Sequence, residues 1–209
     1  MNIETLDNRK SIGLLGALVK TLDLHDPYTQ DHSYRVTDFA GKLAKRLGLS
    51  KKQMDLISEG SQLHDIGKFG ISKTILHKPG KLTSEEYEII KTHPILGATM
   101  LENFPDLHSL IPIVRHHHEF FNGHGYPDKI VGNQIEVEAR IISVADAVDA
   151  MSYARPYRPA YSTEQIMDEL QGCANTQFDP LVAETAIRIL KGARTSSVLF
   201  RNTLPDAWS

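Results

Sequence analysis

Apolar residues recur at helical spacing along most of the chain. Within residues 30–47 they fall at positions i, i+3, i+4 and i+7, and this stretch ends at Gly48, a residue type that favours helix C-termini. The same spacing predicts further helices, with N-caps at Ser50 and Thr163 and a capping box of Thr83 with Glu86. These helices cover about 9–24, 51–66, 83–103, 106–118, 137–153, 163–171 and 180–191.

Glycine and proline mark the breaks between the predicted helices. Residues 67–82 and the glycine-rich residues 119–133 are predicted to be loops. Pro94 falls inside a predicted helix, so a kink or break is expected near His93. Residues 155–159 form a proline-stiffened link, and residues 193–209 have no clear period and predict an irregular tail. The pattern as a whole predicts an all-α protein with a single domain over residues 1–209.

Composition is that of an ordinary globular protein, with 41% hydrophobic and 23% charged residues in 209. The net charge of −3 gives no general attraction to DNA, RNA or an anionic membrane, so a polyanionic substrate would need local cations. The single cysteine, Cys173, cannot form an intrachain disulfide and fits a reducing cytoplasm. The apolar residues 12–19 are fewer than the roughly 20 that cross a bilayer, and the N-terminus lacks a basic signal-peptide region. A cytoplasmic protein is therefore expected.

Histidine changes this picture, because the chain has ten and three are consecutive. Imidazole and carboxylate groups suit iron, manganese, nickel and zinc. Candidate ligands occur on several predicted helices, and they are His32, His64, Asp65, His93, His117, His118 and Asp146. Asp146 stands out because it lies among apolar residues, where a carboxylate is costly unless it is paired or bound to a metal. Each residue also has a simpler interpretation, such as a solvated His–Asp pair at a helix end or a surface histidine tract.

The order and spacing of these residues resemble the HD-GYP group of HD-domain phosphohydrolases. Residues 63–70 read LHDIGKFG, and residues 117–127 read HHEFFNGHGYP. Shorter matching strings lie at residues 26–29, 35–36, 78–83, 93–97, 144–146 and 155–158. The resemblance covers about residues 20–190. A lone His–Asp pair is weak evidence, whereas this ordered set of strings is specific.

The resemblance implies a helical HD-domain bundle with an HD-GYP loop and a binuclear metal centre, commonly iron or manganese. It implies that His32, His64, Asp65 and Asp146 bind one metal, that Asp65 bridges, and that His93, His117 and His118 bind the other. It also implies hydrolysis of cyclic di-GMP to linear pGpG or GMP.

Two positions depart from the family pattern. Asn122 stands where the family usually has aspartate. Tyr28 stands four residues before His32, where some members carry a glutamate that supports a third metal. A phenol is a poor ligand beside imidazoles, so we expect two metals in this chain and not three.

Substrate contacts are expected from specific cations. Lys68 follows His64 by four residues and would lie one turn along the same face if the helix persists. Arg155 and Arg158 suit bidentate phosphate contacts, and the resemblance assigns phosphate-binding roles to all three cations. A bridging water activated by the metals would attack phosphorus, while Lys68 stabilises the developing charge. Tyr126 lines either the substrate site or a partner surface, or it packs the loop onto the body.

Other functions remain open at this level. The domain could bind a cyclic dinucleotide with little turnover, hydrolyse another nucleotide, or carry out di-iron oxygen chemistry. The full ligand set favours an enzyme, and the glycine-rich loop with Arg155 and Arg158 favours a dinucleotide substrate. A signalling protein that contacts the glycine-rich loop and a homodimer through the apolar first helix are further hypotheses about partners.

Overall fold

The structure, a computed structural model, describes residues 17–18, 30–154 and 159–195. Within these ranges the protein is helical, with an isolated bridge between Ala174 and Phe178 and no β-strand. The α-helices, numbered in chain order, are α1 Gln30–Arg46, α2 Lys51–Leu63, α3 Lys73–Leu76, α4 Ser84–Ile90, α5 His93–Leu101, α6 Ile111–His116, α7 Val137–Ser152, α8 Thr163–Gly172 and α9 Pro180–Thr195. Short 3-10 helices cover Ile66–Gly70, Pro105–Leu110 and Gly132–Gln134. The all-α prediction is confirmed.

Several helix boundaries follow directly from predicted local signals. Ser50 caps α2 in a capping box with Gln53, and Thr83 caps α4 in a capping box with Glu86. The expected break before Pro94 is present, because α4 ends at Ile90 and α5 begins at His93. The predicted helix over residues 9–24 lies mostly outside the described residues.

Other boundaries differ from the predictions. Helix α2 ends at Leu63 and not at Ile66, because Asp65 adopts φ −96° and ψ 6° and a 3-10 helix follows. The predicted loop over 67–82 contains that 3-10 helix and α3. The helix expected from Asp106 is a 3-10 helix from Pro105 that leads into α6, and α8 is capped by Ser162 and not by Thr163.

The core lies between α1, α2 and α7, with α9 packed on α1 and α8. Fully buried aliphatic side chains such as Leu43, Ile57 and Ile142 fill it. Helix α5 packs against α6 and the first 3-10 helix, and this contact is very close at Gly67. A Cβ atom placed there would lie 1.9 Å from the carbonyl oxygen of His93, so the backbone approach requires glycine.

This packing brings one end of several helices to the same place. The start of α1, the end of α2, the start of α5 and the end of α6 meet beside the middle of α7. Each of these positions carries a histidine or an aspartate. No helix within the described ranges has the length and hydropathy of a membrane span.

Candidate metal centre

Asp65 lies at the middle of the histidine cluster. Its Oδ1 atom is 3.3 Å from Nε2 of His93, and its Oδ2 atom is 3.4 Å from Nε2 of His64 and 3.9 Å from Nε2 of His32. The two carboxylate oxygens therefore face histidines from different helices. This arrangement allows one carboxylate to bridge two cations.

The histidines form two groups, one on each side of Asp65. His32 and His64 join Asp65 in the first group, and His93, His117 and His118 form the second. Within each group the ligand atoms lie within 4.8 Å of one another. In the second group, the Nε2 atoms of His93 and His117 are 3.2 Å apart, and the rings of His117 and His118 lie 4.1 Å apart between centroids.

Asp146 faces the first group from α7. Its Oδ1 atom lies 3.4 Å from Nε2 of His32. The structure therefore brings together all seven residues that the sequence singled out as candidate metal ligands. Because the second group holds three imidazoles and the first holds two imidazoles with carboxylates, each group has a donor set suited to a divalent transition metal.

Backbone carbonyls fix the orientation of three of these imidazoles. The Nδ1 atoms of His64, His93 and His117 lie 2.7, 2.8 and 2.7 Å from the carbonyl oxygens of Ser61, Ile90 and Val114. A carbonyl can only accept a hydrogen bond, so Nδ1 must donate in each case. In the neutral ring this leaves the lone pair of Nε2 pointing into the cluster, which is the tautomer that binds metals.

The cluster also contains a buried polar atom that lacks a hydrogen-bond partner among the described residues. This atom is Nε2 of His64, whose side chain is only 1% exposed. A buried ring nitrogen without a partner carries a desolvation cost, which a bound cation would remove. The residues present therefore fit a metal centre.

Asp149 contacts the ring nitrogen of His32 that points away from the cluster, and Arg35 contacts Asp149 in turn. The sequence did not single out Asp149. Nδ1 of His32 lies 2.7 Å from Oδ2 of Asp149, and Nε of Arg35 donates to Oδ1 of the same carboxylate at 2.5 Å. The guanidinium of Arg35 also lies 3.8 Å from the centroid of the Tyr153 ring. The available signal was a second acidic residue one turn after Asp146, also within an apolar stretch of α7.

Burial and charge set the protonation of the cluster. Burial and neighbouring imidazoles lower the pKa values of His117 and His118 well below the usual value, and burial lowers the pKa of His93 to about 3. Burial opposes ionisation of Asp65, but the charge of Lys68 and the neighbouring His64 hold the pKa of this carboxyl well below its usual range. The second group is therefore neutral imidazole beside an ionised carboxylate, as metal ligands must be.

Lys68 lies beside the cluster, but not on the continued α-helix that the sequence suggested. The α-helix does not continue beyond Leu63, and Lys68 lies in the following 3-10 helix. Its Nζ atom lies 2.6 Å from Oδ2 of Asp65, three residues earlier. Arg155, Arg158 and Tyr28 fall outside the described residues.

The glycine-rich loop folds back onto the second histidine group. A Cβ atom on Gly125 would lie 2.2 Å from the backbone nitrogen of Phe120 and 2.5 Å from the carbonyl oxygen of His118, so glycine is required there. Tyr126 follows, and its ring lies 4.9 Å from the ring of His118. Burial raises the pKa of the Tyr126 phenol, so it stays protonated.

Two acidic residues and one amide hold this loop in place. Oε1 of the buried Glu119 accepts hydrogen bonds from the backbone nitrogens of Asp128 and Lys129 at 2.5 and 2.9 Å. Arg115 donates two hydrogen bonds, at 2.6 and 2.7 Å, to the carboxylate of Asp128. Asn122, which replaces the usual aspartate, accepts a hydrogen bond from the backbone of His124 at 3.1 Å.

Known proteins share sequence similarity with most of this chain. A family profile described as "HD domain" matches residues 17–182. The "Cyclic di-GMP phosphodiesterase response regulator RpfG" of Xanthomonas campestris pv. campestris is 36% identical over 178 residues, which are 83% of this chain and 47% of that protein. The "3'3'-cGAMP-specific phosphodiesterase 2" of Vibrio cholerae is 32% identical over 193 residues, which are 90% of this chain and 36% of that protein. The chain thus spans less than half the length of these curated relatives.

A solved structure extends the comparison to the fold. Bd1817 of Bdellovibrio bacteriovorus, described as an HDG"Y"P protein, superposes with a TM-score of 0.63 at 24% identity, covering 77% of this chain and 52% of that one. At this identity the likeness shows the helical fold. The family profile covers most of the chain, including every candidate metal ligand. The chain therefore belongs to the HD-domain family, in which its signature strings match those of the HD-GYP group.

Proposed function

We propose that this chain is a metal-dependent phosphodiesterase that hydrolyses cyclic di-GMP to linear pGpG, to GMP or to both. The observation that carries the proposal is the position of Asp65, whose two carboxylate oxygens face two separate histidine groups. Relatives named as cyclic di-GMP and 3'3'-cGAMP phosphodiesterases support a cyclic dinucleotide as the substrate class.

Two divalent cations are proposed, with iron or manganese as the favoured metals. His32, His64 and Asp146 would hold one cation, His93, His117 and His118 would hold the other, and Asp65 would bridge them. Bound there, the cations would lower the pKa of a water from about 16 toward about 7 and polarise a phosphate oxygen.

The chain's own groups position and stabilise the phosphodiester. Lys68 keeps a positive charge beside Asp65, where its Nζ atom can contact an equatorial phosphate oxygen as negative charge develops. Asp149 holds the His32 ring, and the backbone carbonyls hold three further rings, so that the Nε2 atoms converge. Arg155 and Arg158 remain the predicted contacts for the phosphates, and Tyr126 lies beside His118 at the edge of the site.

The glycine-rich loop is also proposed as a surface for a signalling partner. Residues 121–123 are partly exposed and His124 is exposed, while Glu119 and Gly125 are buried. The loop is therefore anchored on one side and accessible on the other. A homodimer through the apolar first helix stays a hypothesis, since most of that segment lies outside the described residues.

Incubation of the metal-loaded chain with a panel of cyclic dinucleotides and mononucleotides tests the proposed activity. Product chromatography is expected to show pGpG or GMP from cyclic di-GMP, and its loss in the Asp65→Asn variant. The panel includes 3'3'-cGAMP, since a relative named for that substrate is 32% identical. Binding of cyclic di-GMP without cleavage would instead identify a receptor domain, and cleavage of mononucleotides alone would identify a different phosphohydrolase.

A further inference from the structure

An aromatic and cationic surface borders the candidate metal centre on the side of His118. Tyr87 and Lys91, from α4 and its C-cap, form it together with Tyr126 of the glycine-rich loop. Nζ of Lys91 lies 5.9 Å from the centroid of the Tyr87 ring and 5.4 Å from that of the Tyr126 ring. The ring of Tyr126 in turn lies 4.9 Å from that of His118. The Tyr87–Lys91–Tyr126 surface therefore continues outward from the second histidine group.

Core packing does not account for the outer part of this surface. Tyr87 is 51% exposed, so much of its large ring is open to solvent. Nζ of Lys91 pairs with Glu88 at 2.9 and 3.0 Å, but the Glu88 side chain is 67% exposed. The Lys91 side chain is 27% exposed, and an ion pair that reaches solvent in this way contributes only about 0–1 kcal/mol, so Lys91 can exchange this carboxylate for another anion at little cost.

We infer that the Tyr87–Lys91–Tyr126 surface binds one nucleotide of the substrate, with its base stacked on Tyr87 and its phosphate paired with Lys91. The inference rests on the proposed function. Aromatic rings accept any base by stacking, and a lysine ammonium binds phosphate as a point charge. A cyclic dinucleotide carries two phosphates, and the net charge of −3 does not attract them. Lys68, beside Asp65, contacts the phosphate at the metals. Lys91 contacts the second phosphate.

Calorimetric binding of cyclic di-GMP to the manganese-loaded chain tests this surface without requiring turnover. Lys91→Met and Tyr87→Leu are each expected to weaken binding about 10-fold, from a lost charged contact or a lost stacking contact. Lys91→Arg and Tyr87→Phe keep the charge or the ring and are expected to bind within about 3-fold of the wild type. Lys51→Met is a matched control, because Lys51 also pairs with a carboxylate on its own helix but lies at the far end of α2 from His64.

Hydrolysis of bis(p-nitrophenyl) phosphate separates this surface from the metal centre, since that ester has one phosphate and no nucleobase. The Lys91→Met and Tyr87→Leu variants are expected to lose less activity on this ester than affinity for cyclic di-GMP, and wild-type circular dichroism spectra are expected to show that they fold. Unchanged binding of cyclic di-GMP in both variants, or equal losses on both compounds, would overturn the inference. Wild-type binding without cleavage, weakened by the same variants, would uphold the surface and contradict only the proposed phosphodiesterase.

Discussion

His32 and Asp149 form a buried contact behind the candidate metal centre, with Nδ1 of the ring 2.7 Å from Oδ2 of the carboxylate. Asp149 lies one turn after Asp146 on α7, so one helix face supplies both a candidate ligand and the group that orients another ligand. Arg35 neutralises the same carboxylate through contacts at 2.5 and 3.1 Å. The carboxylate therefore keeps the His32 ring in the orientation that points Nε2 at Asp65 and Asp146.

Replacement of Asp149 by asparagine is expected to weaken metal binding about 10- to 100-fold, the usual cost of removing a group that orients a metal-binding histidine. The reason is that the neutral amide is a weaker acceptor for Nδ1–H of His32. Metal titration of the apo-protein measures the effect. Asp38→Asn is the control, since Asp38 pairs with Lys42 on the exposed face of α1. Equal metal affinity in the Asp149 variant and the control would argue against the orienting role.

Replacement of Gly67 by alanine is expected to destabilise the fold by more than about 3 kcal/mol, beyond the usual range for overpacking. The added Cβ atom would lie 1.9 Å from the carbonyl oxygen of His93 and 2.5 Å from the backbone nitrogen of Gly97, and neither backbone atom can move without α5. Urea unfolding and metal content measure the result, and both are expected to fall.

Gly41→Ala supplies the matched control for Gly67→Ala. Gly41 lies inside α1, and a Cβ atom placed there would meet nothing within 4 Å. Alanine is expected to stabilise the helix by about 0.5–1 kcal/mol at such a position. If both variants unfold at the wild-type urea concentration, the close approach of Gly67 to His93 is not required for the fold.

Lys68→Met is expected to lower kcat on cyclic di-GMP about 100-fold, the usual effect of removing one donor that stabilises transition-state charge. Metal content is expected to stay at the wild-type level, because Lys68 contributes charge and no metal ligand. Steady-state kinetics and metal analysis check both points. Lys42→Met, which removes an exposed lysine of α1, is expected to leave both unchanged. A loss of metal in the Lys68 variant would assign Lys68 to assembly of the site and not to catalysis.

Asp128→Asn is expected to loosen the glycine-rich loop without removing metal. Oδ2 of Asp128 lies 2.6 Å from Nε of Arg115 and 3.1 Å from Nε2 of His116. These contacts join the loop to α6. Backbone amides of residues 121–131 are expected to exchange faster with deuterium. KM is expected to rise about 5-fold, because the ion pair of Asp128 with Arg115 is worth about 1 kcal/mol. Asp55→Asn is the control, since Asp55 belongs to an exposed ion pair on α2. Unchanged deuterium exchange in the Asp128 variant would show that the loop does not depend on Asp128.

Local patterns in the sequence predicted the helices well, because capping and periodicity act over a few residues. Ser50 and Thr83 cap their helices as expected, and the break at His93 follows from Pro94. The early end of α2 was not predicted. Asp65 leaves the α-helical conformation, and Gly67 then packs against the backbone of His93 at the start of α5, a contact that periodicity does not reveal. Tertiary contacts override helical propensity there.

The candidate ligands could be chosen from the sequence because the family strings place them in order. His64 and Asp65 come from one string and His117 and His118 from another, and the structure brings them together. Asp149, Tyr87 and Lys91 carry no motif of their own, and their proposed roles follow only from distances to His32 and Tyr126. Arg155 and Arg158 stay predictions, since they lie outside the described residues.

Metal stoichiometry is the most direct test of the central claim that seven side chains hold a pair of cations. The chain is purified without oxygen, stripped, reloaded with manganese or iron, and analysed by mass spectrometry for metal per chain. We expect two equivalents in the wild type, and fewer in His32→Ala and His93→Ala, each of which removes a ligand from a different group. One equivalent or less in the reloaded wild type, or two equivalents in both variants, would contradict the account.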